Sequence, residues 1–303
     1  DLTGGQLDLA GTHSLDSITT NASTTLQINS SGSISRTGSG ANTVGDLLLS
    51  PAEGSSSASL DVSDMSLTVA GTAQFDENTI GLSNGNLEFQ NSPTFNNMSS
   101  LSVSSGSLIF QSGASISGSS FTFTSSIFKP SGTVSLTGSS HFMFDSDSSV
   151  ILEGDTTISD EMGNVSWPSL DLNGNALTLG SNVTDMSVDG AMSIGTGESL
   201  NSGTSNLSLN STLTIDDGGT LSSGSGQVQI GGALTLDGDL VQGGGILNLI
   251  SGGTVGTTGE LDVKDSELKL GDELSFAGTL VVNSGTTWSG LGGTVDLSTG
   301  TLE

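Results

Sequence analysis

The sequence predicts an all-β chain wound as a parallel β-solenoid, with three short strands per coil and about 20 residues per coil. Three observations predict it: short alternating apolar runs, no helix-period stripe, and apolar columns that recur at one common interval. Runs such as Leu60-Asp61-Val62, Leu67-Thr68-Val69, Leu87-Glu88-Phe89, Leu101-Ser102-Val103, Leu177-Thr178-Leu179 and Leu268-Lys269-Leu270 alternate apolar with polar residues and are separated by Gly, Ser, Asn and Asp. Such runs read as brief strands with one buried face. Ser, Thr, Gly and Asn at this density disfavour helix throughout.

The columns set the architecture. Val62, Leu82, Val103, Phe123 and Phe144 follow at steps of 20, 21, 20 and 21, and Phe75, Phe95, Ile116, Leu136 and Ile158 at 20, 21, 20 and 22. Val69, Phe89 and Phe110 form a third column. In the C-terminal half the three are expected as Leu209, Ile230, Leu249 and Leu270; Ile215, Leu236, Val255, Phe276 and Leu297; and Leu221, Val241, Val263, Val282 and Leu302. Three columns at one period are what a coil of three strands requires, each strand pairing with its equivalent one coil away. Like residues then stack on like, while Gly, Asn and Asp take the restricted backbone positions at the corners. Residues 1–303 are expected to form one continuous solenoid of about 14 coils, about 70 Å long at ~4.8 Å per coil. Neither Asp1 to Ala10 nor Val295 to Leu302 carries a cap, so the native molecule is expected to continue beyond both ends or to stack end to end.

Composition removes several function classes. The net charge is −28, from 32 acidic residues against Arg36, Lys129, Lys264 and Lys269. Four cations cannot assemble a phosphate-binding patch, which excludes nucleic acid and an anionic membrane surface as partners. No Cys occurs, so there is neither a disulfide framework nor a thiolate metal site. No run approaches the ~18 apolar residues of a membrane span, and Asp1 opens directly into patterned sequence.

Segment 231 to 268, GGALTLDGDLVQGGGILNLISGGTVGTTGELDVKDSEL, reads as G-x-L-x-L followed by Gly-rich turns. It resembles the passenger regions of autotransporters and filamentous-haemagglutinin-like exoproteins, and the style extends over most of the chain. The resemblance implies a right-handed parallel β-helix displayed outside the cell as a stalk or adhesin. This chain shows no recognisable C-terminal barrel or secretion domain of that family.

The repeat departs most between Lys129 and Leu170, where Pro130, Trp167 and Pro168 interrupt it and His141, Asp145, Asp147, Glu153, Asp155, Asp160 and Glu161 gather. A break in a solenoid is where a loop is extruded, and loops carry function more often than coils do. Asp145, Asp147, Glu153 and Asp155 are the candidate ligands for Ca²⁺, a hard cation that needs several converging carboxylates, although no cofactor is required by the pattern. The plain alternative is a solvated loop that absorbs an irregular coil, and no 12-residue Ca²⁺ loop or RTX nonapeptide occurs. Trp167, beside Pro168, is the one aromatic that is a candidate ligand contact, whereas most of the Phe residues and Trp288 are expected in the core.

Enzymatic readings are weaker. A glycosidase needs two carboxylates at a defined separation, and pairs such as Asp216-Asp217 and Asp237 with Asp239 are ordinary corner residues. With only His13 and His141 and no strand-to-helix elbow, a nucleophilic triad lacks its parts. The Gly-Ser-Gly at 224 to 226 and Gly243 to Gly245 are turn composition and not phosphate cradles. The expected function is a non-enzymatic extracellular structural or adhesive rod. Its partners are expected to be other solenoid segments, or a host or surface receptor or carbohydrate. The alternatives are a subunit of a self-assembling extracellular filament or sheath, and a β-helix polysaccharide lyase or hydrolase.

Overall fold

The computed structural model describes residues 5–9, 12–14, 24–29, 33–35, 41–50, 58–97, 100–160, 164–290, 292–297 and 299–303. Every regular element among them is a strand of two to six residues, and each paired register is parallel. The fold is a parallel β-solenoid of about 12 turns with about 21 residues per turn. The number of turns is slightly below the expected 14. Among the described residues no helix is long and apolar enough to cross a membrane. The chain divides at Thr156/Thr157, inside the stretch where the repeat departs, into two compact units.

In the first unit a coil runs through three faces, for example Ala73–Asp76, Asn78–Ser83 and Asn86–Phe89. The first face stacks Phe75 on Phe95, Phe95 on Ile116 and Ile116 on Leu136. The second stacks Leu82, Val103, Phe123 and Phe144, and the third Val69, Phe89 and Phe110. The columns are those the spacing predicts, because in-register pairing places equivalent side chains one above another about 4.8 Å apart. Phe75 and Phe95 lie face to face with centroids 4.7 Å apart, while Phe95 meets Phe121 edge-on at 5.1 Å. Corners are turned by residues with left-handed backbone: Asp64, Asn84, Ser105 and Ser125 follow one another at one corner with φ between 46° and 56°. Asn and Asp tolerate that conformation better than other side chains, and here Asn84 Nδ2 also donates to Asp64 Oδ1 at 3.2 Å.

In the second unit the three faces are represented by Thr220–Ser223, Gln227–Ile230 and Leu234–Leu236. Leu209, Ile230, Leu249 and Leu270 stack as expected, as do Ile215, Leu236, Val255 and Phe276. The third column needs correction. Leu221 pairs with Leu240, Leu240 with Leu261, Leu261 with Leu280, and Leu280 with Leu302, so Val241 is the register partner of outward Ser222. Val263 and Val282 belong to a neighbouring position, not to this column. Polar residues hold that neighbouring inward position at 223 and 242, which hid its periodicity.

From Ile215 to Leu280 coil length alternates for a visible reason. The turn from Ile215 to Leu221 takes six steps, Leu236 to Leu240 four, Val255 to Leu261 six and Phe276 to Leu280 four. Each short turn tucks under the long one before it. Asp239 N donates to Gly219 O at 3.0 Å and Thr279 N to Gly259 O at 2.9 Å, the same bond one coil pair later. Gly238 and Gly278 make this approach possible, since a Cβ at 278 would stand 2.2 Å from both Gly256 O and Gly259 O.

Candidate functional site

The stretch from 129 to 170 is built mostly of coil strands. Gly132–Thr137, His141–Phe144 and Ser149–Ile151 continue the three faces of the first unit. Pro130 does not break the repeat: it is buried, pairs with Phe110 and adds the next member to the Val69–Phe89–Phe110 column. Its carbonyl accepts from Glu153 N at 3.0 Å and from Thr156 Oγ1 at 3.1 Å.

Trp167 is a core residue, 1% exposed, which corrects its reading as a ligand contact. It pairs with Val188, and Val188 with Leu209, so it lies in the column that continues through Ile230 and Leu249. Counting back from Leu209 in two steps of 21 reaches it, a signal present in the sequence. Its Nε1 is buried with no hydrogen-bond partner in the protein. Trp288, expected in the core, is the register partner of Leu268 yet is 49% exposed.

The four candidate Ca²⁺ ligands have separate local roles. Asp145 accepts from Ser148 Oγ at 2.6 Å and from Ser125 N at 3.0 Å on both oxygens. The Ser148 hydroxyl first, and then the Ser125 amide, hold its carboxyl below the usual carboxylate range, against a smaller opposing effect of burial. It thereby caps the left-handed corner at Ser125. Glu153 pairs with Lys129 at 2.6 Å, both about 28% exposed. Asp147 and Asp155 are exposed, and the Asp155 carbonyl accepts from Gly132 N at 2.9 Å. Among the described residues no three His, Cys, Asp or Glu side chains are grouped as a cation would need. Glu161 lies outside the described residues, as does the side chain of Asp160.

What the structure does assemble is a groove of about 530 Å³ on the outer side of the third face of the first unit. Four strands supply it: Ser66–Val69, Asn86–Phe89, Ser107–Phe110 and Ile127–Pro130. Strand alternation sends one set of side chains to the core, so the other set necessarily faces out. Register then aligns Ser66, Asn86, Ser107 and Ile127 in one outward row and Thr68, Glu88, Ile109 and Lys129 in the next. The polar members are cross-linked along the rows. Asn86 donates to Ser66 Oγ at 3.2 Å and accepts from Ser107 Oγ at 2.6 Å, and Glu88 accepts from Thr68 Oγ1 at 3.5 Å. Ile109 and Ile127 are half-buried on the outward side, and the Lys129–Glu153 pair borders them. The groove combines fixed hydrogen-bonding groups, two aliphatic patches and one neutralised cation. Lys129 is the residue it shares with the stretch singled out in the sequence; its other walls come from regular coils that gave no departure from the repeat.

No known protein family matches the chain, and neither the curated proteins nor the solved structures contain a match to it.

Proposed function

We propose that this chain is a non-enzymatic extracellular structural and adhesive segment, of the stalk or adhesin-passenger kind that its style resembles. The observation that carries the structural half is the like-on-like stacking of buried columns through successive coils of each unit. Each added coil buries the face of the one before it, so such a stack extends by repetition without a new core. The outer surface, at a net charge of −28, keeps it dispersed and repels anionic polymers.

The adhesive half rests on the groove. A neutral, hydroxyl-rich carbohydrate chain suits it best. The apolar faces of sugar rings would lie on Ile109 and Ile127, and hydroxyl groups would meet Ser66 and Asn86 of one row and Thr68 and Glu88 of the next. A volume of about 530 Å³ holds a short run of sugar units.

The test is binding to an array of neutral and acidic glycans, with Ile109→Asp and Asn86→Ala as groove variants and release of new reducing ends or unsaturated products monitored in parallel. Retention on neutral glycans that both variants weaken, with no product formed, is the expected result. Product formation would move the chain to the lyase or hydrolase class. Retention on no glycan, together with concentration-dependent assembly in sedimentation, would favour the filament subunit.

A further inference from the structure

One inward position of the second unit carries polar residues in three successive coils. Ser202, Ser223 and Gln242 occupy it, exposed by 0%, 6% and 1%. Ser223 is the register partner of Gln242, and Ser202 is the extra residue of a bulge between Asn201 and Gly203, whose register partners are Ser222 and Ser223. The position is aliphatic on both sides of this run. Leu179 stands one residue beyond the Thr178–Asn201 pair, and Val263 one beyond the Val241–Asp262 pair, each 5% exposed or less. The column therefore reads Leu, Ser, Ser, Gln, Val, a polar interval closed above and below by hydrocarbon.

Its polar atoms are not satisfied by the protein. Ser202 Oγ, Ser223 Oγ and Gln242 Oε1 are buried and make no hydrogen bond to any protein atom. The orientation of the Gln242 amide follows from its other end: Nε2 donates to Gly224 O at 3.0 Å, Gly226 O at 2.9 Å and Gly244 O at 2.5 Å. Turning the amide over would set its oxygen against three carbonyls, so Oε1 must point away from them. Buried hydroxyl and amide groups are found with partners, and a group left alone costs its full desolvation. Two serines in place of the leucine or valine found elsewhere in the column also remove side-chain volume, and the adjoining corner is built from glycines. The interval is thus polar and lined by small side chains, the setting in which a buried site takes water and not an apolar guest.

We propose that Ser202, Ser223 and Gln242 form an internal hydration site, in which ordered water bridges the two hydroxyls and the Gln242 oxygen between the aliphatic plugs Leu179 and Val263. The three groups have complementary capacities: each hydroxyl donates and accepts, and the amide oxygen accepts. A bridging water completes all of them without moving the backbone. The site is a property of the fold and stands whether or not the adhesive reading holds.

A crystal structure of the chain at about 1.3 Å, a resolution at which ordered water is resolved, is the direct test. Water within hydrogen-bonding distance of Ser202 Oγ, Ser223 Oγ and Gln242 Oε1 is expected; direct bonds among these side chains with no water between them would overturn the proposal. The variant Ser223→Val reads the same question in solution. If water links the three groups, valine displaces it, strands the other two and lowers the melting midpoint, by about 2–4 °C on the usual scale for a unit of this size. If the interval is dry, valine replaces a lone hydroxyl by methyl groups and raises the midpoint, which refutes the proposal.

Discussion

The interlock of short turns beneath long ones makes Gly278→Ala a sharp test of the coil-pair architecture. Gly278 has ordinary negative φ, so alanine meets no backbone penalty there; its cost is steric alone. The new Cβ would lie 2.2 Å from Gly256 O and 2.2 Å from Gly259 O, where a relaxed carbon–oxygen contact needs roughly 1 Å more. Neither oxygen is free to retreat. Gly256 O holds Gly259 N at 3.0 Å, closing the long turn, and Gly259 O holds Thr279 N at 2.9 Å, tying the coils together. Overpacking of this kind costs about 1–3 kcal/mol, and loosening one of the bonds adds about 1, giving about 2–4 kcal/mol in all. Gly81→Ala is the matched control. Its Cβ would meet nothing within 4 Å, so alanine there should stabilise by about 0.5–1 kcal/mol through a less flexible unfolded chain. Because a stack of coils need not melt as one unit, amide hydrogen exchange is the appropriate assay. Protection should fall around residues 256–280 in Gly278→Ala and rise or hold in the strand around Gly81 in the control. Unchanged protection at 256–280 would show that the short turn does not depend on the close approach.

Other consequences can be measured as directly. Phe95 is fully buried and packs against Phe75, Phe110 and Phe121, so Phe95→Ala should cost about 3–5 kcal/mol in chemical denaturation, with a cost below 1 kcal/mol contradicting the stacked core. Asp145 should titrate below an ordinary aspartate when followed by carboxyl NMR. Since its folded value is depressed, the stabilisation it gives is complete above the unfolded value and is lost as pH falls through the folded one, so Asp145→Asn should flatten the acid limb of stability. At a net charge of −28, raising salt from 10 to 150 mM shortens the screening length from about 30 to about 8 Å and should raise the melting midpoint; no change would mean that self-repulsion is unimportant.

Most of the fold was legible because a parallel stack repeats its side chains at a nearly fixed step, and Phe75, Phe95 and Ile116 or Leu236, Val255 and Phe276 preserve that step. Legibility failed where the inward position turned polar. Ser223 and Gln242 removed the apolar marks, so outward Val241 was drawn into a column that belongs to Leu240. Pro130 looked like an interruption because proline is rare in strands, and Trp167 because it adjoins Pro168, although the numbering of both keeps the step. The groove was illegible for a different reason. Its walls are outward residues of ordinary composition, and their grouping depends on which coils are neighbours and how the face curves. The carboxylates of the 129–170 stretch are close in sequence, but register and corner geometry assign Asp145 to Ser125 and Ser148 and Glu153 to Lys129.

The alternation of six-step and four-step turns also sets how such a chain can change its length. Two six-step turns can be neighbours, as those from Ile194 to Leu200 and from Ile215 to Leu221 are, but removing the coil that separates two four-step turns would leave a short turn with no long turn to tuck under. Removing or duplicating about forty residues restores the alternation and costs only the lost or gained layers. A coil with a four-step turn therefore comes with a six-step partner, and engineered extensions spliced at Leu221 and Leu261, one whole pair of coils, should fold where insertion of a lone four-step coil beside another does not.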